Sequence, residues 1–211
     1  EALMPEHDQE SPRLSRRSLI ARAALVPVAA LTSAVPAAAA PAGAQTVFSA
    51  GDRKTLEAFV ARLVPNDELG PGALECGAVN YIDQALAGAL SDEKATFLQG
   101  LAEVDSYARK AQDAAFAELS PEKKDAVIKA MEQGTAEGFP NARAVFARFR
   151  RLTLEGMFSD PYYGGNTEFR GWDMIRYPGP RVAVSPDDQQ MKVQVKPYRR
   201  SALGANNGHQ S

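Results

Sequence analysis

The chain has 211 residues, 45% of them hydrophobic and 24% charged, a balance ordinary for a globular chain with a single core. Its 24 Lys and Arg stand against 26 Asp and Glu for a formal net charge of −2, which leaves no electrostatic case for a nucleic acid partner. The single cysteine, Cys76, excludes an intramolecular disulfide.

The chain opens on an address. Ser15-Arg16-Arg17-Ser18-Leu19-Ile20 is a twin-arginine pattern, followed by an Ala/Leu/Val run from Ala21 to Ala40 that Arg22, Pro27 and Pro36 interrupt. The run is too broken for a membrane span, which needs about 20 apolar residues. A basic start, a modest apolar stretch and a small-residue end fit a cleavable signal. Ala42-Gly43-Ala44 is the expected cleavage site, with Ala37-Ala38-Ala39 as competitor. Residues 1–44 are therefore expected to be a twin-arginine signal peptide, with Arg16 and Arg17 as the export signal and the periplasm as destination. That machinery carries proteins already folded, which suits a chain exported together with a cofactor-loaded partner.

Helices follow. Ser49 and Asp52 read as a capping box with Asp in the usual Glu place. The helix they open carries Leu56, Phe59, Val60 and Leu63 on one stripe, and Pro65 ends it. Asn66 to Gly77, with Pro71 and three glycines, is a loop. A second helix over Ala78 to Leu90 turns Val79, Ile82, Leu86 and Leu90 inward. Ser91 is expected to cap a third, with Asp92 and Glu93 in the first turn where the dipole favours acids. Phe97, Leu98, Leu101, Val104 and Ala108 make its stripe. Ser120-Pro121-Glu122 starts a fourth helix with an N-cap and a proline at the first helical position. Val127, Ala130 and Met131 face inward there, and Gly134 stops it. Pro140-Asn141 opens a fifth, in which Val145, Phe146, Phe149 and Leu152 pack. Arg143, Arg148, Arg150 and Arg151 fall mostly off that face and read as solvated surface.

No stretch before Gly179 alternates at period two for the length of a strand. The fold class expected is all-α: a small bundle of about five helices with an irregular, aromatic, Gly/Pro-rich C-terminal arm. Residues 45–180 form the helical domain, including an aromatic loop over 158–179, and 181–211 form an extended arm and tail. Within the arm, Met191 to Val195 alternates as one edge strand would, and Ala202 to Ser211 reads as a disordered tail.

Much chemistry is missing. The two histidines are His7, in the signal, and His209, in the tail, so the domain has none for a His-dependent triad, a Cys-His pair or a His-rich metal site. No haem-attachment motif, cysteine cluster, dinucleotide fingerprint or P-loop is present. No catalytic, cofactor-binding or metal-binding residue is therefore expected in this chain. Asp160 and Asp173 are carboxylates whose pKa burial would raise, but Asp before Pro is first a turn former. In an exported chain Cys76 is a candidate for a disulfide to a partner subunit or a free thiol; a small buried apolar residue is the other reading.

The stretch Thr153 to Gly179 stands apart. It begins as a helix end, breaks at Ser159-Asp160-Pro161, and runs on through Phe158, Tyr162, Tyr163, Phe169, the only tryptophan Trp172, and Tyr177. Gly164-Gly165-Asn166 and Pro178-Gly179 supply turns. A long loop this rich in aromatics is unlike a disordered segment. It either closes the domain's own helix ends or forms a partner surface, where Tyr, Trp, Phe, Met and Arg are favoured.

Phe158-Ser159-Asp160-Pro161-Tyr162-Tyr163-Gly164-Gly165-Asn166, then Gly171-Trp172, then Tyr177-Pro178-Gly179 resemble the gluconate 2-dehydrogenase subunit 3 (gamma) family. A looser match lies in Val64-Pro65, in Pro71 to Glu75 and in Tyr81-Ile82-Asp83, so that the resemblance covers roughly Ser49 to Gly179. It implies a non-catalytic small subunit of a periplasmic sugar or sugar-acid dehydrogenase at the inner membrane. The implied partners are a large FAD-containing subunit and a cytochrome c subunit carrying haem c, besides the twin-arginine export machinery. The resemblance gives Phe158, Asp160, Pro161, Tyr162, Tyr163, Gly164, Gly165, Asn166, Trp172, Pro178 and Gly179 a structural and partner-contact role. Two other classes stay open: a stand-alone periplasmic helical binding protein or chaperone, and an independent enzyme using carboxylates or a metal.

Overall fold

A computed structural model describes residues 46–181, 183–190 and 195–204. The expected signal, with Arg16 and Arg17, and the expected edge strand up to residue 194 lie outside the described residues. Among the described residues the chain is all-α, with helices α1 (Ala50–Leu63), α2 (Ala78–Ala87), α3 (Lys94–Gln112), α4 (Pro121–Gln133), α5 (Ala142–Phe158) and a short α6 (Arg170–Met174).

Helix ends follow local rules where side chains can reach them. At α1 the Ser49 hydroxyl accepts the Asp52 N–H at 3.1 Å while the Asp52 carboxylate accepts the Ser49 N–H at 3.1 Å, the reciprocal capping box. At α4 Ser120 caps, Pro121 is the first helical residue, and Gly134 closes the end at φ 71°. Two ends differ from expectation. α2 stops at Ala87, short of Leu90, because Gly88 leaves helical space and Leu90 N–H turns back to the Ala85 carbonyl at 2.7 Å. Ser91 does not cap α3; Ser91–Glu93 is a 3₁₀ turn leading into it.

α5 is the axis and touches every other helix. Its inward stripe is the expected one, with Phe149 and Leu152 fully buried. Phe149 sits at the centre of an aromatic chain: 4.5 Å from Phe97, and 5.2 Å edge-on from Phe59, whose other neighbour is Phe116 at 5.8 Å. Such pairs add to burial through their ring quadrupoles. Asp105 of α3 ties the layers, accepting the Thr55 hydroxyl of α1 at 3.1 Å and the Phe116 N–H at 3.0 Å. Of the outward arginines, Arg148 and Arg151 share Glu93 at 3.1 and 3.3 Å. These half-exposed pairs contribute little to stability.

The C-terminal arm is not simply extended. After leaving at Pro180 it returns, so that Tyr198 N–H reaches the Pro178 carbonyl at 2.8 Å and Ala202 N–H reaches the Asp160 carboxylate at 2.7 Å. The tail expected from Ala202 is thus docked over its first residue. The rest of that tail, 205–211, lies outside the described residues.

Because Phe149 joins three helices through two ring contacts, Phe149→Ala is expected to cost about 3–5 kcal/mol of unfolding free energy, the usual range for truncating a buried Phe. Denaturant titration followed by circular dichroism measures it.

Candidate functional site: the closed aromatic loop

α5 ends at Phe158, Ser159 is extended, and Asp160 cannot resume the helix. The residue before a proline is pushed out of helical space, and Asp160 Oδ1 accepts the Tyr162 N–H at 2.9 Å, the turn that Asp-Pro favours. Pro161–Tyr163 form a 3₁₀ turn, and Gly164 follows at φ 88°. The chain then folds back on α5. Gly165 lies so close to the Gly156 carbonyl, and Gly171 so close to that of Met157, that a Cβ on either would overlap those oxygens. Both positions require glycine for contact rather than for flexibility.

Asn166 closes the turn. It is fully buried at φ 45°, and its backbone N–H donates to the Gly156 carbonyl at 2.7 Å. Its side chain spans the remaining gap: Nδ2 donates to the Ser159 carbonyl at 3.0 Å, while Oδ1 accepts the N–H groups of Gly171 at 2.9 Å and Trp172 at 3.3 Å. One carboxamide therefore satisfies the last turn of α5 and the first turn of α6, groups that a helix cannot satisfy by itself. Trp172 completes the closure. It is 7% exposed, its indole N–H donates to the Phe158 carbonyl at 2.8 Å, and its ring lies between Phe169 at 5.5 Å and Tyr177 at 4.8 Å.

Two further segments are tied in. From the α1–α2 loop, the Cys76 carbonyl accepts Thr167 N–H at 3.0 Å and the Glu75 carbonyl accepts an Arg170 Nη1–H at 3.2 Å. From the arm, Arg199 makes a two-pronged pair with Asp173, at 3.2 and 2.6 Å. The carboxylates considered for acid–base work are thus occupied. Asp173 binds Arg199, and both Asp160 oxygens accept backbone N–H groups.

The residues assigned to a partner contact divide into two sets. Gly165, Asn166, Trp172 and Gly179 are enclosed by this chain's own atoms, so what they give the surface is its shape. Tyr162 and Tyr163, edge-on at 5.4 Å, are 41% and 49% exposed. Phe158, Asp160, Pro161, Gly164 and Pro178 are half-buried. Cys76 is 0% exposed with a free thiol and sits in the core cluster, which agrees with the small buried residue of the two readings rather than with a bridge reaching out from a loop. Burial, with the nearby Glu75 charge, pushes that thiol's pKa up, away from the reactive thiolate.

Among the described residues no group of three or more His, Cys, Asp or Glu is placed to hold a metal ion, and no helix is long and apolar enough to cross a membrane. An open groove lies between α1, α4 and α5, lined by Arg62, Asp125, Ile128, Phe146 and Arg150.

Residues 50–179 match a family model described as gluconate 2-dehydrogenase subunit 3. No curated protein and no solved structure gives a match. The matched region begins at the first residue of α1 and ends on the last residue of the aromatic loop.

Asn166→Ala orphans three backbone groups, the buried Gly171 and Trp172 N–H and the half-buried Ser159 carbonyl. At about 1–3 kcal/mol each, with partial rescue by water, the expected cost is on the order of 2–4 kcal/mol. As Trp172 is the sole tryptophan, its emission should shift to the red at lower denaturant than the loss of helical circular dichroism. A separate prediction concerns pH. The Tyr81 hydroxyl donates to Glu155 at 3.1 Å, and burial together with the Glu155 charge pushes its pKa from 10.0 up to about 12. The unfolded chain loses this proton first, so the stability Tyr81 supplies is intact below about pH 10 and is lost as pH rises through about 12. Tyr81→Phe should flatten that fall in alkaline denaturation curves.

Proposed function

The chain belongs to the gluconate 2-dehydrogenase subunit 3 family, and we propose that it is the non-catalytic small subunit of a periplasmic, membrane-associated sugar or sugar-acid dehydrogenase. In this reading the oxidation occurs in a large FAD-containing subunit, and electrons leave through a cytochrome c subunit toward the respiratory chain. The small subunit brings the twin-arginine signal, accompanies the flavoprotein through export in folded form, and keeps it soluble and loaded.

The observation that carries the reading is the extent of the family match, which takes in the whole helical body and stops at Gly179, where the loop closed by Asn166 and Trp172 ends. The chain's own residues contribute shape. α5 provides a rigid axis, and the loop fixed upon it presents tyrosines in one arrangement before any partner arrives. A surface ordered in advance loses less entropy on binding. The aromatic content suits such a role, since buried Tyr and Trp dominate interface energetics.

Co-expression tests this. A tagged copy should purify with a flavin-bearing protein in fixed ratio, and the pair should oxidise gluconate or a related sugar acid, while the small chain alone should not. Trp172→Ala should reduce the amount of complex recovered and leave turnover per bound flavin unchanged. Oxidation of a sugar by the isolated chain would end the proposal. So would a Trp172→Ala complex that assembles fully but turns over slowly.

A further inference from the structure

We infer that the chain meets the larger protein of its complex through one face, built where the Asp67–Gly70 turn, the segment following α6 and the returning arm come together. The inference rests on the proposal above that such a protein exists, and it adds where on this chain that protein sits. Every well-exposed large hydrophobic side chain among the described residues lies outside α1 to α5. Leu69 and Leu74 are in the α1–α2 loop, and all the others follow Ser159. Among the described residues no large hydrophobic side chain is well exposed on α1 to α5, and Leu69, Ile175, Tyr177 and Tyr198 lie on segments that touch one another.

Their connection can be followed atom by atom. Gly70 packs against the Met174 side chain. Leu69 before it is 84% exposed and Ile175 after Met174 is 54% exposed. Tyr177 leans on Trp172, Pro178 accepts the Tyr198 N–H, and Arg200 lies 5.9 Å over the Tyr198 ring. The arm is held down by the Arg199–Asp173 pair, by Ala202 on Asp160, and by Arg181 Nη2 donating to the Lys196 carbonyl at 2.7 Å.

The charges around this strip identify the class of occupant. Among the described residues Asp67 and Glu68, just before Leu69, have no cation partner, and Arg176 beside Tyr177 and Lys196 and Arg200 near Tyr198 have no carboxylate partner. A rim of mixed sign around an apolar centre matches a folded protein with complementary charges. An anionic lipid surface would attract the arginines and repel Asp67 and Glu68. The charges thus favour a folded protein, and on the proposal above that protein is the flavin-bearing subunit, presenting apolar pockets for Leu69, Ile175 and Tyr198 together with carboxylates opposite Arg176 and Arg200.

The test compares Leu69→Glu and Ile175→Glu with Lys129→Glu, an exposed position on α4, each co-expressed with the flavin-bearing subunit. The first two should weaken the complex about tenfold or more, with melting temperature and Trp172 emission unchanged; Lys129→Glu should bind as the parent does. Arg176→Glu, which changes a charge of the rim and keeps Leu69, Ile175 and Tyr198 in place, should slow association and lessen its salt dependence. If the parent complex forms and all face variants bind equally well, the face is wrong and the subunit role stands. If no parent complex forms, both fall. Two results would also overturn the face assignment: anionic phosphatidylglycerol vesicles that bind the chain and lose it on Ile175→Glu, or a homodimer that the same substitution dissociates.

Discussion

The carboxamide of Asn166 joins α5 to everything that follows it. It is fully buried, donates to the Ser159 carbonyl, and accepts from Gly171 and Trp172. Of the common side chains, only an amide of this length both donates and accepts across such a gap. An aspartate would lose the donor and place a charge in the site, and a hydrophobic isostere would leave three backbone groups unpaired. Gly165 and Gly171 let the backbone come near enough for these bonds to form. The aromatic closure over Trp172 then follows, because α6 can only start where Asn166 holds its first N–H groups.

Closure has a conformational cost. Asn166, Glu168 and Phe169 all lie at positive φ, at 45°, 56° and 63°. Asparagine tolerates this region, but for Glu and Phe it costs about 1–2 kcal/mol each. The bonds of Asn166, the Thr167–Cys76 link and the Arg170–Glu75 link offset that strain. Strain held by surrounding contacts keeps the loop in one form, which is what the proposed partner contact would need. The same path explains why the exposed tyrosines and Ile175 project from a rigid base rather than from a flexible segment.

The bundle was largely legible in the sequence because its determinants are local. Capping by Ser49 and Ser120, the stop at Gly134 and the stripe of α5 are each set within a few residues. The errors came where the determinant is distant or irregular. Leu90 continues the apolar period of α2, but Gly88 ends the helix first. α6 has five residues and no side-chain cap next to it; its cap comes from Asn166, across residues in left-handed space. The arm's return depends on Arg199 finding Asp173, 26 residues away, and Ala202 finding Asp160, 42 away. Period and propensity do not record such pairings. The motif from Phe158 to Gly179 marked the stretch that folds back over the end of α5, while periodicity could not tell the residues that build its frame from those that face outward. Cys76 shows the same limit: a position in a loop says nothing of which way the sulfur points.

The aromatic loop belongs to this chain's own fold and is formed before any partner binds. Amide hydrogen exchange on the isolated chain tests that claim most directly. Gly171 and Trp172 N–H should be protected to the level of the buried amides of α5, because each is enclosed and bonded to Asn166. Exchange at those two amides as fast as in an unstructured peptide, with α5 still protected, would show that the loop folds only in the complex and would contradict the account.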